Sequence, residues 1–73
     1  MITELKCKMK PKEEFETAYV NYLEGAFTRM RDILSFSISH EPESIIVYMI
    51  TDSENVNVLK SAIEKKLPVK FIK

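Results

Sequence analysis

The run Ile45-Ile46-Val47-Tyr48-Met49-Ile50 is β-branched and apolar on both of its alternating faces. Such a strand belongs in the middle of a sheet, with neighbours on either side. Everything else in the 73-residue chain must therefore be arranged around it. At six residues it is far short of the roughly 20 needed to span a membrane. The start of the chain, Met1 to Lys6, has neither the apolar stretch nor the small-residue cleavage site of a secretory signal. A cytoplasmic location is the expectation, and it suits the single free cysteine.

Candidate neighbours for this strand follow from periodicity. Leu5, Cys7 and Met9 alternate with Glu4, Lys6 and Lys8, which is the period-two pattern of a half-buried strand. Leu34, Phe36 and Ile38 alternate with Ser35, Ser37 and Ser39 in the same way. Glu41-Pro42-Glu43-Ser44 forms the turn that joins this second strand to the central run. A symmetric closure of that turn sets Ile38 opposite Val47 and Phe36 opposite Met49. Val69 and Phe71, interleaved with Lys70 and Ile72, make a short last strand.

Two stretches carry helical spacing instead. Phe15, Ala18, Tyr19, Tyr22, Leu23, Ala26, Phe27 and Met30 recur at three- and four-residue intervals, so a helix is expected over residues 11–31. Pro11 suits its first position, and Glu13, Glu14 and Glu16 suit its first turn. With Val20 included, the apolar arc spans about 200°, wider than one sheet face covers. The surplus is expected to meet a second helix or another subunit. Gly25, the only glycine, sits inside this helix, where close packing of a neighbouring helix would explain it. Val56, Leu59, Ile63 and Leu67 form the narrower stripe of a second helix, opened by a Thr51–Glu54 capping box and stopped by Pro68.

The order is thus β-α-β-β-α-β in a single domain, residues 1–73. That order implies an α+β fold of ferredoxin-like βαββαβ type: a four-stranded antiparallel sheet with two helices on one face. The topology by itself carries no function.

Chemistry is sparse. One cysteine excludes an internal disulfide, and one histidine with no Cys-x-x-Cys pair leaves no metal set. No cofactor is expected. Cys7 points toward the core, and His40 lies at the far end of a strand that is not its neighbour. Glu13 with Glu16, and Glu41 with Glu43, lie on solvated surfaces, whereas acid–base work needs a partly dry cleft. One glycine also rules out a phosphate-cradling glycine loop. A non-enzymatic protein is expected.

What remains is surface. Strand parity turns Ile46, Tyr48 and Ile50 outward, with Ile72 nearby, onto the sheet face that no helix covers. Ser35, Ser37 and Ser39 flank that row on one side and Lys6 and Lys8 on the other. Lysine stems would screen such a row; left open, it is of the size that marks an interface. The Leu34–Ser39 edge has neither charge nor proline, the usual guards against strand addition. A chain this small also gains most from self-association when it lacks disulfides and metals.

The expectation is a protein-interaction module: a homodimer, or a regulator or inhibitor docking on a larger protein. It would use Ile46, Tyr48, Ile50 and Ile72, the serine-bearing edge, or both. Charge would set orientation, since residues 1–12 sum to +3, 13–54 to −7 and 55–73 to +4. The alternative is a nucleic-acid-binding domain in which Lys6, Lys8 and Lys70 hold phosphates and Tyr48 stacks a base.

Overall fold

The computed structural model describes residues 2–10 and 16–72. Its elements are β1 (Thr3–Met9), α1 (Glu16–Thr28), β2 (Ile33–His40), β3 (Ile45–Thr51), α2 (Val56–Lys66) and β4 (Lys70–Ile72). The strands form one antiparallel sheet in the order β2-β3-β1-β4. The doubly apolar β3 is therefore flanked on both sides, as its composition demands. This is an α+β architecture with two helices.

One face of the sheet makes the core. Leu5, Cys7 and Met9 of β1, and Ile45, Val47 and Met49 of β3, cluster with Leu23 and Phe27 of α1 and with Ile63 of α2. Phe36 and Ile38 at the β2 edge, and Phe71 of β4, pack against this cluster while staying half-buried. α1 lies against β2 and α2 against β4. The Phe27 and Phe36 rings meet at 5.7 Å and 47°, which ties α1 to the edge strand.

The hairpin closes through a hydrogen bond of 2.9 Å that Glu41 N donates to the Ser44 carbonyl. It sets Ile38 opposite Val47 and Phe36 opposite Met49, the register expected from the turn. At the other end of β2 the ladder slips between Ile33 and Ser35, so Leu34 is an extra residue. The core position falls to Ile33, which is buried, and Leu34 is 53% exposed. Strict alternation had put Leu34 inside. The slip is fastened from afar: Thr51 Oγ1 donates to the Asp32 carbonyl at 2.6 Å and accepts from Ser53 N at 3.0 Å.

The same hydroxyl cancels the expected capping box. Thr51 is wholly buried as the last residue of β3, and α2 begins only after Asn55, with no side-chain cap bond. The first helix also differs from its expected bounds. α1 ends at Thr28, three residues before the expected end at 31. Pro11 and the carboxylates of Glu13, Glu14 and Glu16 lie outside the described residues. Among the described residues of the wide apolar arc only Leu23 and Phe27 are fully buried; Tyr22 is 52% exposed and Ala18 is exposed.

Gly25 is not a flat spot for a neighbouring helix. Among the described residues a methyl group there would meet only the Arg29 guanidinium, at an ordinary 3.9 Å. Its backbone is helical with no positive φ. Gly25→Ala should therefore stabilise the protein by about 1 kcal/mol through helix propensity. A thermal melt should show a rise of roughly 4–8 °C. A fall would mean that something packs against the position after all.

Candidate functional site

The face opposite the core carries the even-numbered residues of β1 and β3 and the serines of β2. Its cross-strand rows can be read directly. Ser35, Ile50 and Glu4 make one; Ser37, Tyr48, Lys6 and Ile72 the next; Ser39, Ile46, Lys8 and Lys70 the third. All ten residues singled out on the sequence thus lie on one face. Exposure separates them.

Tyr48 is 43% exposed, while Ile50 and Ile72 are half-buried. Ile46 is only 8% exposed, which corrects its placement as an open contact residue. It sits mid-sheet between Ser39 and Lys8, and long flanking stems shelter an apolar side chain in such a position. Lys6 holds its ammonium 5.5 Å from the centre of the Tyr48 ring, so a cation–π contact covers part of the tyrosine. The apolar row is therefore narrower than parity alone suggests. Ser35 and Ser37 are exposed; Ser39 is half-buried and donates to Glu41 Oε1 at 3.2 Å.

The β2 edge is the longer of the sheet's two free edges. Among the described residues it has no partner beyond β3, and from Ile33 to Ser39 it carries no charge. The β4 edge is three residues long, follows Pro68 and includes Lys70. Its Phe71 N–H is already held by Glu64 Oε2 at 3.3 Å.

Cationic side chains gather in two places. Lys8, Lys10 and Lys70, with Met9 and Pro68, line a cleft of about 420 Å³ where β1 ends and β4 begins. Arg29, Arg31 and Lys66 line a second cleft of about 310 Å³ beside α2, and Asp32 shares it. The sequence reading passed over both Lys10 and this second group. Lys10 continues the alternation of Lys6 and Lys8 by one more step, a signal that was present. Arg29, Arg31 and Lys66 are brought together only by the tertiary fold.

The nucleophile candidates are separated. Cys7 is fully buried, and burial, helped by the negative charge of Glu64, pushes its thiol up to about 12. His40 sits opposite Ile45 on β2, with β3 between it and the β1 strand that carries Cys7. Among the described residues no three of His, Cys, Asp and Glu gather as a metal set would. No helix among them is long and apolar enough to cross a membrane.

Comparison with known proteins returns no match: no family model fits the chain, and no curated protein or solved structure is significantly similar to it. The class that the fold and its surfaces define is a small α+β domain with one bare sheet face and one open edge.

Proposed function

We propose that the protein is a non-enzymatic interaction module of ferredoxin-like topology that works as a homodimer, joined through the β2 edge. The observation that carries this reading is the unguarded edge itself. Apart from the Ile33 N–H, which donates to the Met30 carbonyl, Ile33–Ser39 is an edge with no strand beyond it among the described residues and no lysine, acid or proline to deter one.

The edge also fits a copy of itself. In an antiparallel pair, residues directly opposite share a face. A two-fold axis through Ser37 sets Ser35 against Ser39 of the second copy and Phe36 against its Ile38. Serines then meet serines, half-buried apolar residues meet their like on the core side, and no like charges face each other. Because α1 lies against β2, the same axis brings the two α1 helices side by side. The exposed Tyr22 and Ala18 supply the apolar surface such a helix pair needs. A regulator docking on a larger protein would use the same edge, but self-complementarity favours the second copy.

The register makes a sharp test. Ser37→Lys places two ammonium groups face to face across the axis, and Ser37→Glu two carboxylates. By sedimentation or light scattering the wild type should be dimeric, each variant alone monomeric, and their equimolar mixture dimeric again. A wild type that stays monomeric at high concentration, or variants that dimerise as readily as it does, would overturn the reading.

A further inference from the structure

We infer that the bare sheet face binds single-stranded nucleic acid along β1, with Lys6, Lys8, Lys10 and Lys70 on the phosphates and Tyr48 against a base. The starting point is an electrostatic cost with no remedy among the described residues. Lys8 and Lys70 are directly opposite across the β1–β4 ladder, an arrangement that disfavours pairing. Lys10 lines the same cleft, and no carboxylate among the described residues lines it with them. A sheet that sets three ammonium groups around one cleft is relieved by an anion.

The layout selects the kind of anion. Lys6 and Lys8 share one face of β1 at a two-residue step, about 6.7 Å along a strand, and Lys10 follows just past the strand end, lining the cleft with Lys8 and Lys70. Cations drawn out along a strand and past its end match a chain of phosphodiesters better than one compact phosphate group. Glu4 occupies the next step and ends the row with the opposite charge. Tyr48 lies directly across from Lys6, 43% exposed, at the end of the row away from the cleft. Bases in a single strand are free to stack on such a ring, whereas a duplex keeps them inside. With zero formal net charge overall, the attraction is local to this face. It does not depend on the β2 edge.

The probe is a fluorescent oligothymidylate, its binding read by anisotropy across a salt series beginning at about 50 mM. Log affinity should fall against log salt with a slope of roughly −3, as expected for four phosphates on a single strand. Lys70→Glu is the informative charge variant. It sets a carboxylate opposite Lys8, which favours the sheet, so a loss of binding cannot be blamed on unfolding. Affinity should drop about tenfold or more, while self-association is unchanged. Tyr48→Leu should cost roughly 5- to 100-fold and leave the salt slope alone, since stacking is not ionic. No binding at the lowest salt would overturn the inference. So would equal affinity for a duplex, or a Tyr48→Leu variant of wild-type affinity whose oligonucleotide is displaced as well by polyphosphate.

Discussion

Phe27→Ala is expected to remove a large part of the protein's stability at room temperature. Phe27 is one of two fully buried side chains of α1, and its ring rests on Phe36 at 5.7 Å. Truncating a buried phenylalanine costs about 3–5 kcal/mol, the lost transfer energy plus the cavity. Domains of this size are stable by only about 4–11 kcal/mol. The damage is not confined to the helix. Phe36 belongs to the edge strand and meets the Phe27 ring on its core side, so β2 loses a tie to α1 while keeping its pairing with β3. Urea denaturation followed by circular dichroism measures the loss, with Phe27→Leu as the milder variant that keeps most of the volume. A loss under about 1 kcal/mol for the alanine variant would show that this ring does not anchor the core.

The second large effect is alkaline. Burial, with the charge of Glu64 adding to it, holds the Cys7 thiol protonated up to about 12, against 9.0 in the absence of burial. Below about pH 9 folded and unfolded chains both keep the proton, and the thiol places no demand on folding. Between about 9 and 12 only the unfolded chain releases it, so stability falls as pH rises. Three pH units correspond to about 4 kcal/mol in total, a substantial share of the stability of a domain this small. The midpoint urea concentration should drop steadily over that window, and Cys7→Ala should flatten the drop. A wild type and an alanine variant with parallel alkaline profiles would rule the thiol out as the cause. At neutral pH, alkylation of Cys7 should proceed only as fast as the protein opens.

Local patterns fixed much of this structure in advance. The alternations around Cys7 and Phe36 identified β1 and β2, the doubly apolar run identified β3, and turn symmetry alone was enough to set Ile38 against Val47. What escaped was decided by contacts distant in sequence. The slip at Leu34 is fastened by the hydroxyl of Thr51, which donates to the carbonyl of Asp32, 19 residues before it, and is thereby lost to the capping box. Periodicity near Leu34 contains no trace of that bond. Ile46 was assigned to the correct face, but its low exposure depends on which residues flank it on two other strands. Gly25 was read as a packing device because its composition invites that reading, yet only Arg29 comes near it. The lysine row was largely legible: Lys6, Lys8 and Lys70 stood out, and Lys10 continues the alternation by one step, whereas its meeting with Pro68 and Lys70 in one cleft is a product of the fold.

The unequal borders of the sheet bear on how far assembly can proceed. A border of three residues, preceded by proline and with one amide already engaged, offers an incoming strand little to grip. Only the opposite border is receptive, and once two copies have joined there the composite sheet presents the blunt side at each end. Growth would halt at two. Crowded solutions of this protein should accordingly stay clear instead of seeding fibrils, despite a margin as inviting as Phe36 to Ile38.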